Sequence, residues 1–312
     1  MKLIRLFWAL LLCATPGLLA QTNQLPAQPP QSPQTLSINV DLVNVIFTVS
    51  DKTGRFITNL PQDDFKVLED DQPQKISNFS NETNLPLSVA LLFDTSASIQ
   101  GRLKFEQDAA GEFFNTTLRR GTDKALVVTF DRTIALAQDF TDDTELLTKA
   151  IGKVHAGGNT AMFDAAYQAL SKKLAGQPGR HVIIVISDGD DNVSEKTIEE
   201  TVEMAQKTDT VIYAVGTSPP ELFGSSKERG NKYLKRLVDE TGGRLFLPIK
   251  ADDLTKSYLE ISQELRSQYT LGYRSANTRR DGTYRKIRIV TSNKQFKVRS
   301  RDGYYASRAS VN

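Results

Sequence analysis

Three short segments of this 312-residue chain concentrate oxygen donors that could act on one ion. The run Asp94-Thr95-Ser96-Ala97-Ser98 sets a carboxylate and two hydroxyls in a tight Asp-x-Ser-x-Ser loop. Gly157-Gly158-Asn159-Thr160 is a glycine-bearing loop that ends on a threonine. Asp188-Gly189 supplies a second carboxylate, followed by a residue that lets the backbone turn sharply. Three hydroxyls and two carboxylates, with neither thiol nor imidazole, form a hard-oxygen set suited to Mg²⁺, Mn²⁺ or Ca²⁺ and poorly suited to zinc. With about two formal negative charges and few direct ligands, a coordination position stays open for a partner's carboxylate. Each segment also has a plainer reading. Asp-x-Ser-x-Ser can be a capped helix start, Thr160 an N-cap, and Asp188 part of a polar turn in which Asp190, Asp191 and Asn192 cap the next helix.

The elements around these residues favour the joint reading, because all three segments sit where loops leave strands or enter helices. The stretch LPLSVALLF (85–93) is almost continuously apolar, as a strand buried on both faces must be. Further strand candidates are ALVVTF (125–130), HVIIVIS (181–187), TVIYAVG (210–216) and RLFLPI (244–249). Leu103, Phe105, Ala109, Ala110, Phe113, Phe114 and Leu118 recur at helical spacing over 101–118. Other helical stretches fall near 143–151, 160–175, 195–207, 230–240 and 251–267. Alternation of this kind predicts an α/β fold, a doubly wound and mostly parallel sheet, in which ligands bind beyond the carboxyl ends of the strands.

On either side the rhythm is different. Residues 36–82 alternate apolar and polar positions (Val40, Leu42, Val45, Phe47, Val49) and are punctuated by a KTGR turn and an acidic turn at Glu69 to Asp71. Residues 266–306 return to the same pattern through YTLGYRS, YRKIRIVTS and QFKVRSRDGYYA. The two segments are expected to pack together as one small antiparallel β module, since the ends of a doubly wound domain often lie close. Before them, residues 1–20 place Lys2 and Arg5 ahead of an apolar run from Leu6 to Leu12, a signal-peptide layout. Residues 21–35 form a Pro/Gln-rich linker. Loss of the signal segment would remove Cys13, the single cysteine, and would lower Lys+Arg from 39 to 37 against 37 Asp+Glu. Leu12 ahead of Cys13 argues against lipid anchoring, and the balanced charge gives no basis for nucleic-acid binding.

The Asp-x-Ser-x-Ser, Thr and Asp-Gly segments, in this order and at these strand ends, resemble the metal-ion-dependent adhesion site of von Willebrand factor type A domains over roughly residues 86–265. The resemblance implies that Ser96 and Ser98 ligate an ion directly. Thr160 would do so directly or through water, while Asp94 and Asp188 act largely through bridging waters. One divalent cation is expected, Mg²⁺ first, with Mn²⁺ or Ca²⁺ as alternatives. The flanks VDLVNVIFTVSDKTGRFITNL and YTLGYRS…DGTYRKIRI further resemble a bacterial family of secreted proteins related to this domain.

An enzyme is not expected. The chain carries no Gly-x-Ser-x-Gly elbow, no His-Glu-x-x-His and no Walker loop. Its two histidines, His155 and His181, have no evident catalytic partner, although His155 is close enough to Thr160 to border the site. The expected function is an exported, periplasmic or surface-located binding or adhesion module. It would recognise an Asp or Glu of a protein partner through the cation, with no transmembrane segment after signal removal. The alternative is an envelope or assembly component whose β module makes the main contacts while the cation orders loops.

Overall fold

The structure is a computed structural model that describes residues 42–81, 84–97, 100–217 and 225–308. The expected signal segment, the Pro/Gln-rich linker, residues 36–41 and Ser98 lie outside the described residues.

The chain opens with β1 (Leu42–Ser50), β2 (Phe65–Glu69), β3 (Gln72–Gln74) and β4 (Ile76–Ser80). The α/β part runs β5 (Leu87–Asp94), α1 (Leu103–Thr117), β6 (Lys124–Phe130), β7 (Ile134–Thr141), α2 (Thr144–Gly152), α3 (Met162–Gln168), β8 (Arg180–Ser187) and α4 (Ile198–Lys207). It continues through β9 (Thr210–Gly216), α5 (Ser225–Thr241), β10 (Leu245–Phe246) and α6 (Ala251–Leu265). The chain then returns to β structure in β11 (Gln268–Arg274), β12 (Tyr284–Thr291), β13 (Lys297–Ser300) and β14 (Gly303–Tyr305).

The central sheet has the order β10-β9-β8-β5-β6-β7, parallel except for β7. Its strands obey the two-residue period of a sheet covered on both sides. Leu87, Val89, Leu91 and Phe93 of β5 face a core shared with α1, α2 and α6, while Ala90 and Leu92 face one shared with α3, α4 and α5. The chain winds from β5 to β6 and β7 on one side and through β8, β9 and β10 on the other. This reversal opens a crevice at the carboxyl ends of β5 and β8.

Strand β7 is absent from the sequence expectations. It runs antiparallel on the sheet edge with no buried residue, and its short apolar stretch, Ile134 to Ala137, neither alternates with polar residues nor matches the longer runs of the buried strands. Its exposed Leu136 packs into neither core.

The flanking segments form two four-stranded antiparallel sheets, β13-β1-β11-β4 and β14-β12-β2-β3. Val43, Val45, Phe47 and Val49 of β1 join Phe65 and Val67 of β2, Tyr269 and Leu271 of β11, and Ile287 and Ile289 of β12 in one core. Phe47 stacks on Tyr269 with ring centroids 5.1 Å apart. The module is tied to the α/β part by Glu264 of α6, which pairs with Arg299 of β13 and accepts the Tyr213 hydroxyl at 2.6 Å. Among the described residues, no helix is long and apolar enough to cross a membrane.

Candidate metal-binding site

Asp94 ends β5 and is fully buried. Because β5 and β8 lie side by side, with Phe93 opposite Ile186, the Asp94 carboxylate meets the last residue of β8. The Ser187 hydroxyl donates to Asp94 Oδ2 and accepts the Gly189 N–H at 2.9 Å. Asp94 Oδ1 accepts the Ser96 N–H at 2.8 Å, an Asx turn that curls the loop over the strand end. Asp188 follows Ser187 and is 9% exposed, and its Oδ1 accepts the Asp190 N–H at 3.2 Å.

The Thr160 loop closes against both. Gly157 donates its N–H to the Thr95 carbonyl at 2.6 Å, and Ala97 donates to the Gly158 carbonyl at 3.4 Å. Thr160 is buried; its N–H donates to Asn192 Oδ1 at 3.2 Å, and its carbonyl accepts the Asn192 N–H at 3.1 Å. Asp94, Ser96, Thr160 and Asp188 are thereby gathered at one edge of the sheet.

Two glycines allow a close crossing here. Gly189 has φ of +76°, and a Cβ on it would stand 2.4 Å from the Gly230 carbonyl oxygen of α5. A Cβ on Gly230 would meet the Asp188 carbonyl oxygen at 2.2 Å. Helix α5 therefore lies directly on the second acidic loop.

The charge at this edge is uncompensated by side chains. Among the described residues, neither Asp94 nor Asp188 pairs with a lysine, arginine or histidine. The arginines of the flanking helices are engaged elsewhere, Arg102 at 3.8 Å from Glu106 and Arg229 at 2.9 Å from Asp190. Burial pushes the Asp94 carboxyl up to about 6 despite hydrogen bonds from Ser187 and Ser96, and the Asp188 charge adds to the rise. No group of three or more carboxylates, imidazoles or thiols among the described residues is placed to hold a metal ion by itself, so an ion here would depend on hydroxyls as well.

A third carboxylate belongs to this setting. Glu106 of α1 is 1% exposed and neither of its oxygens has a hydrogen-bond partner. Burial pushes it up to about 7, against the opposing pull of Arg102 and with the charges of Asp94 and Asp188 adding to the rise. Its spacing from Leu103, Ala110 and Phe113 puts it on the buried face of α1, and that periodicity is the signal that could have singled it out. Ser187 offered no signal, being a small polar residue at a strand end.

The turn reading of the second acidic loop is corrected in part. Asp191 accepts the Phe163 N–H at 2.9 Å and the Ser194 hydroxyl at 2.7 Å, so it caps α3 across the loop rather than the following helix. That following helix, α4, is capped by Thr197 and Glu200. His181 bridges the Thr208 and Gln177 carbonyls, a structural role, whereas His155 is exposed beside the site.

The family model for the von Willebrand factor type A domain matches residues 88–291, about two thirds of the chain. The chain belongs to this family. The matched segment runs from β5 through β12 and so reaches beyond the α/β part into the antiparallel sheets. Among solved structures, the chain is similar to proximal thread matrix protein 1 from the mussel byssus. Identity is 18% and the TM-score 0.51, over 63% of this chain and 50% of that one. A further structure of that byssus protein has a zinc-occupied MIDAS motif. The vWF domain of the type V pili tip protein Mfa5 from Porphyromonas gingivalis aligns at 14% identity and a TM-score of 0.50, over 58% of this chain and 95% of that one. The PilB minor pilin from Streptococcus sanguinis aligns at 14% identity and a TM-score of 0.47 over 59% of this chain, which spans 62% of the pilin's length. At these identities the likeness is one of fold. No curated protein sequence matches the chain.

Proposed function

We propose that this von Willebrand factor type A protein is an exported, non-enzymatic binding module working outside the cytoplasm. It grips an acidic group of a protein partner through one divalent cation. The observation that carries this reading is the pair Asp94 and Asp188, two carboxylates at adjacent strand ends with no basic side chain among the described residues to neutralise them. Burying such a pair is unfavourable unless a cation shares the site.

Asp94, Ser96, Ser98, Thr160 and Asp188 would hold the ion. Ser187 and the Ser96 N–H fix both oxygens of Asp94, so the carboxylate is oriented before any ion arrives. Asn192 fixes the backbone of Thr160 in the same way. The ion supplies a Lewis-acidic position to which a partner's Asp or Glu can bind. The byssus protein takes zinc at its MIDAS motif, whereas the all-oxygen donors here favour Mg²⁺, Mn²⁺ or Ca²⁺. Pilus-associated proteins with the same fold fit a location at the cell surface or in the periplasm.

Isothermal titration of the purified chain with Mg²⁺, Mn²⁺ and Ca²⁺ tests the site. Saturable uptake of one ion by the wild type, abolished in Asp94→Ala with the circular dichroism spectrum unchanged, is expected. A folded wild-type chain that takes up none of the three ions overturns the reading.

A further inference from the structure

A cleft of about 560 Å³ opens beside the candidate site. It begins at Thr95, which lies between Asp94 and Ser96, and one wall is a single face of α2. Leu146, Lys149, Ala150 and Lys153 follow one another at the i, i+3, i+4, i+7 spacing that aligns side chains along a helix. His155 continues that wall toward the Thr160 loop.

Lys104, Lys207, Lys232 and Lys235 each pair with a carboxylate four residues away on their own helix. Lys149 has Glu145 four residues before it, in the orientation that favours pairing. No such pair forms; Lys149 and Lys153, both exposed, line the cleft instead, and neither has an ion-pair partner among the described residues. The helix dipole favours basic residues near the end of α2, yet it does not require them to share the face that borders the site. Among the described residues that line the cleft the one carboxylate is Asp131, whose Oδ1 accepts the Thr133 N–H at 2.6 Å and the Thr133 hydroxyl at 2.9 Å, so the two lysines outnumber it. The lining is therefore cationic around an apolar strip, and Leu146 within that strip is 46% exposed.

We propose that this cleft is the second half of the partner-binding surface: Lys149 and Lys153 receive a second acidic residue from the same partner segment whose first carboxylate completes the cation's shell. The proposal rests on the cation reading above. The partner is accordingly a protein segment with two spaced acidic residues and an apolar side chain to cover Leu146. The paired lysines supply charge complementarity and partner choice, and the cation supplies the anchor.

Fluorescence anisotropy of short labelled peptides with the full chain in Mg²⁺ tests this. One peptide carries a single central Asp among neutral residues; the others add a Glu at increasing spacings. The second acid is expected to tighten binding by about tenfold at its best spacing. That gain should vanish in Lys149→Ala/Lys153→Ala, persist in Lys149→Arg/Lys153→Arg, and leave the single-Asp peptide unaffected. Equal affinity for all peptides overturns the proposal. So does a preference that survives the double alanine substitution, or an absence of peptide binding by a chain that takes up Mg²⁺ in calorimetry. A preference that persists in EDTA and vanishes in the double alanine variant supports the cleft while refuting the cation anchor, so the two readings fail separately.

Discussion

Buried carboxylates are handled in opposite ways at the two ends of this molecule. In the β module, Glu69 is 2% exposed, yet it accepts the Tyr273 hydroxyl at 2.8 Å, the Tyr304 hydroxyl at 2.9 Å and the Ser275 hydroxyl, with Arg285 at 3.6 Å. At the strand ends of the α/β part, Asp94 and Asp188 have no cationic partner among the described residues, and Glu106 of α1 has no hydrogen bond among them either. The first arrangement is complete within the chain and serves the fold. The second is left open, and open buried charge is what an ion-binding edge requires. Asp123 shows that the α/β part can also close such an account. Burial alone would raise it, but hydrogen bonds from Arg119, Arg266 and the Leu87 N–H hold it at about 2.

The contrast can be broken by substitution, beginning with the largest effect. Glu69→Ala removes the counter-charge of buried Arg285 and the acceptor shared by the Tyr273, Tyr304 and Ser275 hydroxyls, and should cost about 3 to 5 kcal/mol in a denaturant titration. A loss comparable to an ordinary surface substitution would erase the distinction.

Glu106→Gln should act with the opposite sign. Burial raises the Glu106 carboxyl from 4.5 to about 7, with Arg102 opposing and Asp94 and Asp188 assisting, so its ionisation favours the unfolded chain. The metal-free protein then has its full stability from this group below pH 4.5 and loses it as pH rises to about 7. The shift corresponds to about 3 kcal/mol. The variant should therefore match the wild type near pH 4 and exceed it by that order at pH 8. Identical pH profiles would place Glu106 in a solvated setting. Asp94 slopes in the same direction between 3.8 and about 6, so the variant's own profile should flatten without becoming level.

Smallest of all, Lys104→Ala removes a pair with Asp108 whose side chains are 82% and 62% exposed, and its effect should be too small for denaturation to resolve. A clear loss there would mean that exposed pairs matter more to this fold than buried ones.

How much of this was legible depended on whether a residue's neighbours in sequence are also its neighbours in space. Strands β6, β8 and β9 were legible because both faces are buried and the apolar runs are unbroken. The Asp-x-Ser-x-Ser, Thr and Asp-Gly segments were legible as a set because each belongs to a loop at a strand or helix boundary. Strand β7 was not, since an exposed edge imposes no apolar alternation. Glu106 was legible only through its spacing from Leu103, Ala110 and Phe113, which puts a carboxylate on the buried face of α1. Lys149 and Lys153 read as an ordinary basic helix end, and only the cleft gives them a common direction.

The pairing of β1 carries a consequence for how the molecule comes into being. Phe47 finds its β13 partner at Ser300, and its neighbours on the other side lie in β11, so β1 is completed by strands that follow much later in the chain. Contacts this distant in sequence are slow to form. The α/β part can assemble from local βα units while β1 waits for β11 and β13 and the β2–β3 hairpin waits for β12, with apolar faces exposed. During that interval the open strand edges are vulnerable to any edge-seeking neighbour the chain meets. The arrival of β11 to β13 closes them.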